Sequence, residues 1–207
     1  KRRRILYVTG TRADFGLMTP VLKAIDQSNK LSLELYVTGM HLMPEFGGTK
    51  REVQRLFPRV KTIPAIFEDD SHASMARFCA SVLPKITRAF ERNRPDFVLL
   101  FGDRPDMLCT ALACLYLGIP TGHFHGGDKS ITVDGVARHA ITKLASLHFP
   151  ASKTSEEFIR QMGEESWRIT RVGSPALDDI VGADLPSRKE LLNELGVPAF
   201  KGPFILF

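Results

Sequence analysis

The chain has 207 residues, 43% hydrophobic and 25% charged, with a formal net charge of +5. These values are those of an ordinary globular protein with room for one full domain and the start of a second. No apolar run approaches the roughly 18 residues that a membrane-spanning helix needs, so we expect no membrane segment. The charge suits an anionic ligand. The chain opens on the basic run Lys1–Arg4, but no aromatic–basic interleaving or recognition motif follows, so we expect no nucleic-acid partner.

Apolar strands alternate with helices along most of the chain. The predicted strands are Arg4–Thr9, Leu31–Thr38, Val60–Ile66, Asp96–Phe101, Pro120–His125, Leu147–Pro150 and Trp167–Val172. The predicted helices are Phe15–Ser28, Lys50–Phe57, Ser71–Asn93, Asp106–Leu117, Asp134–Ser146 and Ser152–Met162. Met40–Gly48 is predicted as a loop, and Pro84 predicts a kink or a break in its helix. This alternation predicts an α/β fold with a doubly wound, Rossmann-like parallel sheet.

The pattern changes after Gly173-Ser174-Pro175. Asp178–Ala183 and Pro186–Val197 are polar and helical, and Pro203–Phe207 resembles the first strand of another domain. We therefore predict an N-terminal Rossmann-like domain over residues 1–174. Residues 175–207 would be a linker and the start of a C-terminal nucleotide-binding domain. Because a lone strand cannot bury its faces, we expect a truncated or partly observed two-domain protein.

The cysteines indicate a reducing compartment. Cys79, Cys109 and Cys114 are odd in number, and the last two lie in an apolar predicted helix. Buried reduced thiols fit this pattern better than disulfides or metal ligands, and they suit the cytoplasm.

A candidate anion site follows the first predicted strand. Gly10 allows a tight turn, the next helix offers free N–H groups, and Arg12 can bind a phosphate or carboxylate bidentately. The segment is neither a dinucleotide fingerprint nor a Walker loop. An ordinary turn with Asp14 as helix N-cap explains the same residues.

Asp103 occupies the equivalent place after the strand Asp96–Phe101. Burial there would raise its pKa toward the range useful for acid–base work. Pro105 at the first helical position, with Asp103 near the cap, is the alternative without chemistry.

The most informative segment is Gly122–Asp128, where a short strand ends in His-Phe-His-Gly-Gly-Asp. In open α/β sheets ligands bind at the carboxyl edge, so this segment reads as half of an active site. His123 and His125 lie two apart on one strand face and could hold a metal with Asp128 or Asp103. Gly126 and Gly127 instead suggest a backbone that approaches a ligand closely. We expect no metal, and one of the two histidines to bond a neighbouring strand or loop.

Asp134, Arg138 and His139 lie on one predicted helix. Asp134 and Arg138 are four residues apart and can pair across a turn. If the pair faces the loop at Asp128, it would hold a carboxylate and orient it. His148 is expected to be a core or edge residue, and Trp167 a core residue.

These motifs together resemble the hydrolysing UDP-N-acetylglucosamine 2-epimerases. The matching segments occur in order over about 175 residues: Val8–Leu17, Val37–Leu42, Gly102–Arg104, His123–Gly127, Arg138–Leu144 and Val172–Pro175. The resemblance implies two Rossmann-like domains of the glycosyltransferase-B type, with the site in the cleft between them. The implied reaction converts UDP-N-acetylglucosamine and water to N-acetylmannosamine and UDP, through elimination of UDP and hydration of a glycal. It implies no cofactor, and we expect a homo-oligomer, either a dimer or a tetramer.

The resemblance also assigns roles to residues. Asp103, Asp128 and Asp134 match the family's acidic positions and would supply the catalytic carboxylates. Arg138 and His139 would orient these acids, and Arg12 with the N–H groups near Gly10 would face the phosphate or the sugar. The remaining expected substrate contacts are Asp14, His125, Gly126, Gly127 and Ser174.

The chain departs from the family pattern at two places. The family usually has Glu where this chain has Asp128, and the loop from Asp128 to Arg138 is one residue shorter. A diacetamido-trideoxy or GDP-linked sugar nucleotide is therefore an alternative substrate. The residues are also compatible with a glycosyltransferase, with a metal-dependent hydrolase built on His123, His125 and Asp128, and with a weak sugar-binding half-site. The family's remaining histidine segment and most nucleotide-binding residues come after Phe207, so we expect the fragment alone to be inactive.

Overall fold

A single parallel sheet organises the chain. The computed structural model describes residues 2–198, 200, 202 and 203. Within these residues six strands form the sheet: β1 (Arg3–Thr9), β2 (Leu31–Val37), β3 (Lys61–Thr62), β4 (Phe97–Phe101), β5 (Thr121–Phe124) and β6 (Leu147–Phe149). Their order is β3-β2-β1-β4-β5-β6, and every pairing is parallel. This is the predicted doubly wound, Rossmann-like α/β fold, in which the chain reverses its direction of travel across the sheet between β1 and β4.

Helices connect the strands and cover the sheet. They are α1 (Arg12–Asp26), α2 (Lys50–Leu56), α3 (His72–Arg92), α4 (Pro105–Leu117), α5 (Val133–Leu144), α6 (Lys153–Gln161), α7 (Ala176–Val181) and α8 (Arg188–Glu194). Local sequence explains their ends. Thr11 caps α1 in a capping box, Ser71 caps α3, and α4 begins with Pro105 and ends at the left-handed Gly118. Among the described residues, no helix has the length and apolarity needed to cross a bilayer.

The core lies between the central strands and the helices. Leu6 and Val8 of β1 and Leu100 of β4 have no exposed surface. On α3, Phe78, Val82, Ile86 and Phe90 recur every four residues, which gives the helix one apolar face against the sheet.

At Pro84 the predicted break does not occur, because α3 runs through this residue as one helix, and the kink stays a prediction. Three other local predictions were wrong. Val60–Ile66 contributes only the two-residue strand β3, and Met40–Gly48 contains two short 3-10 turns. In place of the strand Trp167–Val172, a 3-10 turn covers Ser166–Arg168, and Ile169 makes a single bridge to β6.

Trp167 was also predicted as a core residue, but it is 73% exposed. The Arg168 guanidinium reaches back to the carbonyl groups of Ala145 and Ser146. This contact favours the turn, and Trp167 lies on its outer side. His148, by contrast, is a fully buried residue of β6, as predicted.

The segment after Ser174 returns to the body of the domain. Helix α7 packs against α1, and Lys23 on α1 pairs with Asp179 on α7 at 3.6 Å. Apart from Pro203, the predicted strand Pro203–Phe207 lies outside the described residues. The division into a 1–174 domain and a 175–207 linker stays a prediction.

The thiols are free. Cys109 and Cys114 are buried on α4, as predicted, whereas Cys79 on α3 is only half-buried.

Candidate active site

The polar motifs converge at the carboxyl edge of the sheet. Gly10 follows β1, Asp103 follows β4, and His125–Asp128 follows β5. β1 and β4 are neighbours and the strand order reverses between them, which is the arrangement that creates a crevice in doubly wound sheets. Crevices of this kind are where doubly wound sheets bind their ligands.

One arginine joins two of these loops. The Arg138 Nη2 atom forms an ion pair with the Asp103 carboxylate, and its Nη1 atom donates to the main-chain carbonyl of Asp128 at 3.1 Å. The predicted Asp134–Arg138 pair is therefore wrong. Asp134 instead accepts a hydrogen bond from the Thr132 hydroxyl at 3.2 Å. Arg138 on α5 thus fixes the Asp103 side chain and the Asp128 backbone relative to each other.

Asp103 has an environment suited to proton transfer. Its side chain is only 16% exposed. Burial raises the pKa of this carboxyl; the positive charge of Arg138 opposes the shift, and the negative charge of Asp134 adds to it. The net result is a pKa above the ordinary aspartate value, as expected from the sequence. A raised pKa makes a carboxyl a better proton acceptor than an ordinary aspartate, which is the direction that acid–base chemistry needs.

Asp128 is fixed from its other side by α6. Its carboxylate accepts a hydrogen bond from the Ser155 hydroxyl, a partner that the sequence did not reveal. Gly127 makes this contact possible. Its φ is +83°, and a Cβ built there would overlap the Ser155 carbonyl oxygen. Gly127 therefore brings the loop against α6, and Gly126 lies against Thr142 of α5 and the His123 ring, so both glycines have a packing role.

His123 is the structural histidine of the pair. It is fully buried, with Nε2 2.8 Å from the Gly102 carbonyl oxygen and Nδ1 3.1 Å from the Thr142 hydroxyl. Burial lowers its pKa to about 3, so the ring is neutral. Both of its ring nitrogens are engaged. Among the described residues, no group of three or more His, Cys, Asp or Glu side chains is placed to hold a metal ion.

His125 differs from its neighbour. It lies beyond the end of β5 with a φ of +58°, so the two rings do not share one strand face as predicted. Its ring packs 4.7 Å from that of Phe101, and its buried Nε2 atom has no hydrogen-bond partner among the described residues. A left-handed backbone at a non-glycine residue and an unpaired buried ring nitrogen are both unusual in a folded protein. Contact of His125 with substrate stays a prediction.

The turn after β1 is held by Asp14. Helix α1 begins at Arg12 with Thr11 as N-cap, so the predicted start at Phe15 and the Asp14 cap were wrong. The Asp14 carboxylate accepts hydrogen bonds from the Thr11 N–H group and from the Tyr7 hydroxyl, at 2.6 and 2.7 Å. Arg12 is exposed and pairs with Glu52 at 3.2 Å. Contacts of Arg12 and Asp14 with substrate stay predictions.

Asp106 is a buried acid that the sequence analysis treated only as the start of a helix. It is 1% exposed, and neither carboxylate oxygen has a hydrogen-bond partner among the described residues. The carboxyl group lies directly against Gly10, where a Cβ would come within 2.5 Å of it. Burial, and then the charge of Asp14, raise its pKa to about 7. The sequence signal that could have indicated this contact is that Gly10 follows β1 and Asp106 follows β4, the neighbouring strand.

His139 and Ser174 lie at the edges of this region. His139 follows Arg138 on α5 and is half-buried. Ser174 is half-buried in the turn before α7, close to where Val172 bonds the Pro150 carbonyl beyond β6. Neither has a contact that assigns it a role.

The fold and the site define a class: a Rossmann-like domain whose carboxyl edge carries an arginine-linked pair of aspartates. The model of the UDP-N-acetylglucosamine 2-epimerase family matches residues 23–206. The chain therefore belongs to that family.

Relatives agree with this assignment. The chain is 46% identical over 180 residues to a UDP-N,N'-diacetylbacillosamine 2-epimerase (hydrolyzing) of Legionella pneumophila, covering 86% of this chain and 48% of that protein. It is 35% identical over 196 residues to a UDP-N-acetylglucosamine 2-epimerase of Neisseria meningitidis serogroup B, covering 95% and 52%. A crystal structure of a UDP-GlcNAc 2-epimerase from Neisseria meningitidis bound to UDP-GlcNAc has the same fold, with a TM-score of 0.73, 21% identity, and coverage of 94% of this chain and 51% of that one. The chain spans about half the length of the curated relatives it matches.

Proposed function

We propose that the protein containing this chain is a hydrolysing 2-epimerase of a UDP-linked 2-acetamido sugar. In its simplest form it converts UDP-N-acetylglucosamine and water to N-acetylmannosamine and UDP. The observation that carries the proposal is the Arg138 bridge between Asp103 and the Asp128 loop, after β4 and β5 at the carboxyl edge of the sheet. Membership of the epimerase family supports the reaction type.

Asp103 is the proposed proton-transfer group. Elimination of UDP removes the proton at C2 and breaks the bond between C1 and the diphosphate oxygen, giving a glycal. Water then adds at C1 while C2 takes up a proton on the opposite face. A carboxyl with a raised pKa is suited to one of these transfers.

The other two acids would serve the opposite face and the attacking water. Asp128 is fixed by Ser155, and Asp134 lies close enough to Asp103 to affect its pKa. On the diphosphate side, Arg12 and the N–H groups at the start of α1 would offset the charge of the leaving group.

The sugar has two candidates. UDP-N-acetylglucosamine follows from the family, and a diacetamido-trideoxy UDP-sugar is favoured by the name of the 46%-identical Legionella relative. A cytoplasmic location and a dimeric or tetrameric assembly stay predictions.

Proton NMR of the protein at its full natural length, in deuterated water with either UDP-sugar, tests the proposal. We expect release of UDP and of the C2-epimeric sugar carrying deuterium at C2. Asp103→Asn should lower turnover by about 10²- to 10⁴-fold, whereas Asp184→Asn, at an exposed aspartate, should not. Release of the unepimerised sugar without deuterium would show simple hydrolysis. Unchanged turnover in Asp103→Asn would remove that residue from the chemistry.

A further inference from the structure

A cavity of about 230 Å³ lies where α3, α4 and α5 begin. All three helix starts are at the carboxyl edge of the sheet, on the side of β4 that carries the candidate site. Apart from His72, Pro105 and two acids, the wall is made of small or apolar side chains: Met75, Ala76, Cys79, Leu108, Val133 and Ala137.

The two acids in the wall are Asp103 and Asp134. These are the carboxyls to which the proposed function gives the sugar chemistry. A sugar ring held against them would therefore direct one of its substituents into the cavity.

The wall determines which substituent is stable there. A hydroxyl group among methyl, thioether and thiol groups would lose its hydrogen bonds to water and find few replacements. A methyl group, or the methyl end of an acetamido group, would instead gain from leaving water. The cavity is several times larger than the roughly 30 Å³ that one water molecule occupies in the liquid, so a group of this size fits.

We propose that this cavity is a specificity subsite that accepts an apolar substituent of the sugar, either a deoxy-sugar methyl or a second acetamido group. Ala76 on α3 and Ala137 on α5 keep it open because their side chains are short. The inference rests on the proposed function and names the substrate class: UDP-sugars in which apolar groups replace hydroxyls.

Filling the cavity from one helix tests the proposal. Ala76 is exposed on α3, so Ala76→Leu adds bulk at the cavity without disturbing the core, and leucine is a good helix former. Ala73→Leu makes the same change one turn earlier, at an exposed position outside the cavity, and is the matched control. Both variants are made in the protein at its full natural length. The kcat/KM values are compared for UDP-N,N'-diacetylbacillosamine and UDP-N-acetylglucosamine.

We expect the natural protein to favour the diacetamido substrate by about 10- to 200-fold, the range for small apolar substituents in a fitted pocket. Ala76→Leu should reduce that preference at least about tenfold by slowing the diacetamido substrate alone, and Ala73→Leu should leave it unchanged. An equal loss for both substrates, or no loss, would overturn the subsite. Equal or better turnover of UDP-N-acetylglucosamine by the natural protein would overturn it too, while the proposed function would stand. Turnover of neither UDP-sugar would overturn both.

Discussion

Replacing Asp106 by asparagine is expected to stabilise the protein. The Asp106 carboxyl is buried against Gly10, faces the charges of Asp14 and Arg104, and has a pKa of about 7 instead of 3.8. In the unfolded chain this group ionises near its ordinary pKa, so between about pH 4 and pH 7 the unfolded state binds fewer protons than the folded state. The free energy of unfolding therefore falls as the pH rises through this window.

The size of the effect follows from the same values. At 1.36 kcal/mol per pKa unit, the difference between about 7 and 3.8 corresponds to a limit of about 4 kcal/mol at and above neutral pH. Asparagine has nearly the same shape and cannot ionise, so Asp106→Asn should recover much of this free energy. The gain should be near zero around pH 4 and constant above about pH 7.

Urea unfolding of the natural protein and of Asp106→Asn, at several pH values from about 4 to 9, measures the gain directly. Asp184→Asn, at an exposed site, is the control and should show little dependence on pH. A gain that does not change with pH would mean that Asp106 is not held protonated by its surroundings. A loss of stability at every pH would show that the charged carboxylate is itself stabilising.

Two further substitutions test the packing around the site. Gly10→Ala would place a Cβ 2.5 Å from the Asp106 carboxyl and should lower the free energy of unfolding by about 1–3 kcal/mol. Adding Asp106→Ala to the same chain should restore most of that loss. If the effects of the two substitutions on the free energy of unfolding were simply additive, the contact would be contradicted. Glu164→Gln removes a buried charge that three basic side chains contact, and should cost about 3 kcal/mol near neutral pH. Burial alone would raise the pKa of Glu164, but hydrogen bonds from Lys143 and His148 lower it overall. The deficit should therefore vanish as the pH falls below about 4.5, and a deficit that persists in acid would refute the electrostatic account.

The sequence was sufficient to predict β1, β2, β4, β5 and β6, and the edge of the sheet at which the candidate site residues lie. Apolar runs such as Asp96–Phe101 are followed by Gly-Asp or Gly-Gly, which marks where the strand ends. A segment that is apolar on both faces is typical of a central parallel strand, because only that position buries both faces. The weakest strand predictions were those at the sheet margins. At the margins, pairing with the sheet is limited to a single bridge at Ile169 or to the two residues of β3. Local turns replace the rest of each predicted strand.

The contacts within the site could not be predicted in the same way. Arg138 has an acid four residues away on its own helix, yet it pairs with Asp103, which is 35 positions distant. The choice depends on how closely α5 approaches the end of β4, and helical spacing carries no information about that distance. The burial of Asp106 on α4 likewise depends on the absence of a side chain at Gly10, which follows β1 and is distant in sequence.

His123 and Arg138 together explain why Asp103 is held in one position. The Gly102 carbonyl can only accept, so in the neutral ring of His123 the proton lies on Nε2 and is donated to that carbonyl. This hydrogen bond fixes the backbone immediately before Asp103, while Arg138 fixes its carboxylate from α5. A reacting carboxyl anchored from two elements loses little freedom when substrate binds, and such preorganisation is what proton transfer at a sugar carbon requires. The histidine therefore contributes by remaining uncharged and by holding the backbone beside Asp103.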